Sequence, residues 1–206
     1  MSASGLLDLF SSQSNDASRV QGLAVALVTN NKDPDNQGRV KLKFPWLGDN
    51  HESDWARIAV PMAGGDRGTY FLPEVNDEVL VAFQHGSIDS PIVVGALWNG
   101  RDRPPANNSN GKNDLRVIRS RSGHEVRLND ADGSETIEII DKTGGNKIVI
   151  ASSDNSITIK CAGKLTIDAL EVEIKAQSSV KATANSTMDL EASGPASLKG
   201  AIVNIN

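Results

Sequence analysis

The chain is short of nearly everything an ordinary single-chain core is built from. Apolar residues make up 38% of its 206 residues, below the usual share of about 45–50% for globular domains. That shortfall is the first sign that one chain does not bury a full core by itself. A single cysteine, Cys161, excludes an internal disulfide and gives no sign of an oxidising compartment. No run of about 18 apolar residues exists, so no membrane-spanning helix is expected. The start, Met1–Phe10, has neither a basic region nor a long apolar stretch, and does not read as a secretory signal. Positive charge is also lacking: the formal net charge is -5, which gives no general attraction to nucleic acid or anionic lipid.

The sharpest absence is positional. All eight aromatic residues lie at or before Trp98, and none follows. Aromatic rings supply much of the buried area of ordinary cores, so the two halves must be built differently. Between them, Arg101–Asn113 is rich in Pro, Asn and Gly and reads as a linker. The expected organisation is an N-terminal tail over 1–19, a first domain over 20–100, the linker over 101–113 and a second domain over 114–206.

The tail is mostly Ser, Asn and Asp around one apolar cluster, Leu6, Leu7, Leu9 and Phe10. It is either a frayed terminus or a short segment that docks on a partner. Residues 20–100 read as five short strands: Val20–Val28, Arg39–Phe44, Ala56–Val60, Glu78–Phe83 and Ile92–Leu97. In the second, Val40, Leu42 and Phe44 alternate with Arg39, Lys41 and Lys43. Turn signals separate them, at Asp33–Asn36, Gly64–Gly68, Pro73–Asp77 and His85–Pro91. That spacing predicts a small all-β barrel. No amphipathic helix of normal length is visible.

From Gly145 the pattern changes. Apolar pairs recur as Ile148/Ile150, Ile157/Ile159, Leu165/Ile167, Val172/Ile174, Val180/Ala182, Met188/Leu190, Ala196/Leu198 and Val203/Ile205, at steps of seven to nine residues. Between them lie Lys, Asp, Glu, Thr, Ser and Asn in balanced charge, as on a solvated surface. An eight-residue β repeat fits either an antiparallel meander within one chain or a triangular prism in which three chains wind round a common axis. A meander needs a second apolar layer to cover it, and no helix is available to supply one. A narrow trimeric interior suits small branched side chains, and winding the chains together removes lateral sheet edges. The prism is therefore the expected structure, with those apolar pairs as its core.

Several tempting constellations have plainer readings. Neighbouring residues in a strand point to opposite faces, so Ser122, His124 and Glu125 would need partners from elsewhere in the fold to make a triad, and the plainer reading is a polar turn. No G-x-S-x-G elbow is present. His51, Glu52 and Asp54 lack metal-site spacing. Gly64–Gly68 is not a phosphate loop, because no Gly-Lys-Ser/Thr follows. Cys161 is expected as a small buried or half-buried thiol. Residues 20–100 hold six basic and ten acidic residues, the wrong balance for a groove that tracks phosphates.

One resemblance draws these features together. Asp33-Pro34-Asp35-Asn36-Gln37-Gly38-Arg39-Val40-Lys41-Leu42-Lys43-Phe44-Pro45-Trp46 resembles the strand–turn signature of the OB-fold domain in phage baseplate assembly protein V and VgrG-type spikes. Trp55–Ala59, Gly64–Gly68, Leu72–Val81 and Asp89–Asn99 continue the likeness in order. Ile118–Val126 resembles the segment that leads into the β-helix of those spikes. The resemblance covers about residues 22–206. It implies an all-β protein, an N-terminal OB-fold barrel followed by a C-terminal intertwined trimeric β-helix, that works as a structural central spike. Such a spike caps the tube of a contractile tail or injection-system baseplate and punctures the target envelope mechanically. It would act as a homotrimer without enzymatic activity or cofactor, and touch membrane only in passing. It would be made in the bacterial cytoplasm without a signal peptide and assembled into a phage-tail-like particle.

Two departures matter. VgrG-type spikes carry a large N-terminal hub domain where this chain has about 20 residues, so a separate hub protein is implied, with Leu6, Leu7, Leu9 and Phe10 to dock on it. Some short spikes end in an iron-binding His-x-His motif, and no histidine follows His124, so no metal is carried over. A PAAR-type tip protein is expected instead on Val203, Asn204, Ile205 and Asn206. The rival readings are a glycan-degrading tailspike-like enzyme, which would need paired carboxylates in a groove, and a nucleic-acid-binding OB-fold protein.

Overall fold

The computed structural model describes residues 20, 22–48 and 51–204. The chain divides into two units, Met1–Ile159 and Lys160–Asn206. Among the described residues there is no α-helix, only the single 3₁₀ turns Pro45–Leu47 and Gln84–Gly86.

The first unit opens with a five-stranded barrel. Its strands are β1 (Leu23–Asn30), β2 (Lys41–Lys43), β3 (Arg57–Ile58), β6 (Glu78–Phe83) and β7 (Pro91–Ala96), ordered β2-β1-β6-β7-β3. A small hairpin, β4 (Ala63–Gly64) with β5 (Arg67–Gly68), interrupts the series. The bridges Val40↔Ala56 and Lys43↔Glu52 tie the chain just before β3 to β2, so the sheet closes on itself. Closure leaves no free edge to invite pairing with other chains. The alternation read from the sequence sets the core: Val40, Leu42 and Phe44 point inward at 2% exposure or less, joined by Ala26, Val28, Val79, Val81 and Val93. Phe44 and Phe83 meet there with ring centroids 5.5 Å apart.

The turn from β1 to β2 is fixed by one carboxylate. Asp33 accepts hydrogen bonds from the backbone N–H groups of Asp35, Gln37 and Arg39. It also takes the Arg39 guanidinium at 2.8 and 2.7 Å, and a second acid, Asp35, binds the same guanidinium. The Arg39 guanidinium holds the Asp33 carboxyl well below the usual carboxylate range. Gly38, at φ +69°, lets the chain swing out of this turn into β2.

A second five-stranded sheet follows in the same unit: β8 (Leu115–Arg119), β9 (Glu125–Asn129), β10 (Thr136–Ile140), β11 (Lys147–Ala151) and β12 (Ser156–Lys160). Each strand pairs with its sequence neighbours, in the order β12-β11-β10-β9-β8. The pairing is antiparallel with no slips from β8 to β11. Here the structure differs from the expected intertwining over 114–206. From Leu115 to Lys160 the strands pair within one chain, and the pairs Ile148/Ile150 and Ile157/Ile159 lie in this meander. The cause is local: residues with left-handed backbone, Gly123, Gly133, Gly144 and Asn155, sit in the reversals and turn each strand back on the last.

Beyond Lys160 there is no strand among the described residues, and every residue from Ile157 to Asn204 is exposed.

Candidate functional site: an apolar face with no cover

Strand alternation gives the meander two unlike faces. On one, cross-strand register stacks Val126 on Ile139 and Leu128 on Ile137, then Ile137 on Ile150 and Ile139 on Ile148; Ile118 extends the patch beside Val126. These seven aliphatic side chains are 40–56% exposed. Together they open on the order of 600 Å² of apolar surface, the upper end of the largest patch that a monomer ordinarily shows.

The other face is where a lone sheet would normally bury its apolar side, yet it carries the charges. Glu125 is 8% exposed and bonds two guanidiniums, Arg119 at 3.4 Å and Arg127 more closely; Arg127 also reaches Glu138 at 3.9 Å. A buried carboxylate held by two arginines is satisfied and needs no ligand. The more exposed aliphatic face is thus the open one; the other mixes Val117, Ile140 and Val149 with an internally paired charge cluster.

The sequence-predicted core residues fall into three groups. Ile148, Ile150, Ile157 and Ile159 lie on β11 and β12. Leu165, Ile167, Val172, Ile174, Val180, Met188, Leu190, Leu198 and Val203 lie along the second unit, all exposed. Ile205 lies outside the described residues, as do Asn206 of the expected tip site and Leu6, Leu7, Leu9 and Phe10 of the expected hub site; Val203 and Asn204 are described and exposed. The sequence reading missed Ile118, Val126, Leu128, Ile137 and Ile139, because the repeat was followed only from Gly145. The signal was present: Val126/Leu128 and Ile137/Ile139 have the same pair form, at eleven-residue steps rather than eight.

The candidates for chemistry do not assemble. His124 Nδ1 accepts the backbone N–H of Lys142, and Ser122 Oγ lies against Ser120 Oγ, so the two are not joined as nucleophile and base. Glu52 accepts the Thr29 hydroxyl at 2.7 Å and the Lys41 ammonium at 2.9 Å, which lowers its pKa and pins its loop to β1 and β2. Cys161 is exposed rather than buried, because nothing packs on the chain beyond β12. Among the described residues no cluster of three His, Cys, Asp or Glu could hold a metal, and no helix is long and apolar enough to cross a membrane. Trp55, with Arg39 and Lys41 each within 6 Å of its ring, is the nearest approach to a base-stacking platform. Both cations are engaged, Arg39 by Asp33 and Asp35 and Lys41 by Glu52, which leaves little charge to attract phosphate.

Comparison with known proteins bears on the barrel. Residues 24–98 match the family model described as the type VI secretion system/phage-baseplate injector OB domain. The chain is similar to the type VI secretion system spike protein VgrG2a of Pseudomonas aeruginosa, 39% identical over 75 residues, which is 34% of this chain and 9% of that protein. Spike protein VgrG5 of the same organism is 39% identical over 95 residues, 42% of this chain and 12% of its own length. The actin cross-linking toxin VgrG1 of Vibrio cholerae is 36% identical over 75 residues, 34% of this chain and 7% of the toxin. The chain therefore spans about a tenth of the length of these relatives. The resemblance read from the motifs holds over this N-terminal region, where residues 24–98 match the injector OB domain.

Proposed function

We propose that this protein is a structural spike component of a contractile injection baseplate, a homotrimer whose barrels sit at the tube end and whose C-terminal part projects toward the target envelope. The observation that carries the reading is the joining of an injector OB domain to a sheet whose apolar face has no cover. The match to an injector domain supports a place in a baseplate. The uncovered face favours a partner, and its aliphatic composition favours copies of itself. It is built mainly from branched aliphatics, with the Arg116–Asp130 ion pair at its edge, and an aliphatic centre is the character of obligate homomeric interfaces.

The mechanism is mechanical. The needle presents polar, charge-balanced residues outward and keeps its aliphatic residues for the interior, so it does not adhere to lipid as it passes. Assembled chains resist unfolding because one strand cannot leave without disturbing the other two chains. In the same reading, Leu6, Leu7, Leu9 and Phe10 dock on a separate hub protein, and a tip protein of PAAR type covers Val203–Asn206. No catalytic step is assigned to this chain.

The experiment is light scattering together with assembly. The purified chain is expected at three times 21.9 kDa, and in a cell carrying the contractile apparatus it is expected in isolated baseplates. A monodisperse monomer absent from baseplates overturns the reading.

A further inference from the structure

The outer wall of the barrel holds a small polar cleft that the spike reading does not use. Val40 bridges Ala56, so while these two fill the core their neighbours Arg39, Lys41, Trp55 and Arg57 stand on the outer face. Between that face and the loop from β6 to β7 lies a cleft of about 240 Å³. Half-buried Trp55 and buried Pro91 supply its apolar part. Gln37, Arg57, Gln84, Asp89 and Ser90, all exposed, set amides, a guanidinium, a carboxylate and a hydroxyl around it.

Hydrogen bonds fix the frame. The Asp33–Arg39 clasp holds the turn that carries Gln37. Three backbone bonds of 3.0 Å close the loop opposite: Gln84 N–H to the Ser90 carbonyl, Ser87 N–H to that of Gln84, and Ser90 N–H to that of Ser87. Arg57 donates to the Gln84 side-chain oxygen at 3.3 Å, which leaves the Gln84 amide NH₂ as a donor to the cleft.

Charge decides what such a cleft can hold. Arg39 is taken by Asp33 and Asp35, and Lys41 by Glu52. Arg57 is then the one cation of the cleft outside an ion pair among the described residues, and Asp89 offsets it. A lining of balanced charge exerts no pull on phosphate or on a polyanion. Alternating donors and acceptors beside one aromatic ring suit a ligand that carries many hydroxyls, no charge and a C–H face to pack on the ring.

We propose that this cleft is a binding subsite for one unit of a neutral saccharide. Its volume lies below the about 300–1,000 Å³ of drug-sized sites, which limits the ligand to one sugar ring. The sugar is held and not cleaved: Asp89 is the only acid among the described residues lining the cleft, and glycoside hydrolysis takes a pair of carboxylates in most enzymes that perform it. The subsite belongs to the barrel alone, so it stands whether or not the chain is a trimer.

The test places the full chain on an array of neutral and acidic glycans, at about 50 and about 500 mM salt. At least one neutral glycan is expected to be retained, with a signal that changes less than about twofold between the two salts, because no ion pair is made. The strongest neutral glycan is then titrated calorimetrically. Trp55→Ala is expected to abolish binding. Should that variant unfold, Gln84→Ala and Asp89→Ala, both at exposed side chains, carry the test: each is expected to weaken binding about tenfold, the scale of one or two lost hydrogen bonds, with the melting temperature unchanged. Retention of no neutral glycan overturns the proposal. So does binding confined to acidic glycans or to a single-stranded oligonucleotide, or binding that collapses at the higher salt. A neutral glycan bound equally well by the Gln84→Ala and Asp89→Ala variants overturns it too, since the sugar would then sit elsewhere.

Discussion

The barrel and the meander are both five-stranded and both built from alternating aliphatic residues, yet they close their accounts with water differently. The barrel curls until its apolar side faces itself: Val40, Leu42, Val79 and Val81 fall to 0% exposure within one chain. The meander is an open sheet, and Ile139 on its middle strand stays 53% exposed. The difference lies in what can bend and fill. The barrel has Phe44 and Phe83 to occupy its centre and a carboxylate-pinned turn to redirect the chain. The meander has neither aromatic bulk nor a closing bridge among its described residues, so its apolar side stays open.

If that contrast is right, charges placed on the open face should do the most damage. Ile137→Asp with Ile139→Asp would put two carboxylates per copy into the proposed interior, at several kcal/mol each. Light scattering is expected to show the mass falling from three chains to one, while far-UV circular dichroism and tryptophan fluorescence show the barrel still folded. If the double variant remains a trimer, the open face is not the interface and the comparison fails.

The next effect should stay inside the barrel. Arg39→Ala leaves Asp33, with 3% of its side chain exposed, facing only backbone donors. The barrel's melting temperature is expected to drop by several degrees, on the scale that small domains show for single-site changes, with the trimer mass unchanged. A shift in oligomeric state instead would mean that the two regions are not independent.

Acid sharpens the comparison further, because each region has a depressed carboxylate. Asp33 in the barrel is held down by Arg39, and Asp141 in the β10–β11 turn is lowered to about 2 by the Asn146 backbone N–H and the Thr143 hydroxyl. A folded-state pKa below the unfolded one stabilises at pH above the unfolded value of about 3.9. The contribution is lost as pH falls through the folded one. For Asp141 the loss runs from about pH 4 to about pH 2. Stability should therefore be flat from pH 7 to 5 in these two terms. Asp141→Asn should weaken the chain at pH 6 but matter less near pH 2, as a melting series at both pH values would show.

The smallest expected effect is none. Ser122→Ala and His124→Ala remove groups whose bonds serve the β8–β9 and β10–β11 turns. Delivery or infectivity should stay within about twofold of the unaltered chain, in keeping with the usual small effect of surface substitutions. A large loss in a well-formed trimer would point to chemistry at this hairpin.

How much of this was legible in the sequence depends on the range of the forces involved. The strand Arg39–Phe44 could be read from its alternation alone, since burial of Val40, Leu42 and Phe44 follows from period two. The separate placements of Ser122 and His124 were not legible that way, since residues two apart share a strand face and both lie between β8 and β9. The Asp33–Arg39 clasp was not, although both residues lie in a motif that was recognised, because a side-chain bond across a turn leaves no periodic trace. The meander was read as part of the intertwined repeat, where the structure pairs its strands within the chain. Its eleven-residue step falls outside an octad search, and the left-handed conformations of Gly133, Gly144 and Asn155 emerge only from backbone angles.

The confinement of aromatics to the first half has an optical consequence. Trp46, Trp55 and Trp98, with Tyr70, supply essentially all near-ultraviolet absorption and emission, and all belong to the barrel or its immediate exit. Everything from Asn99 onward is dark to these probes. A fluorescence melt of this protein is a melt of the barrel, whatever the rest of the molecule is doing. Backbone signals, which see every strand, will report a second transition wherever the aliphatic half yields at a different temperature. The chain thus carries its own control, one half coloured and one half colourless, for watching the two regions come apart.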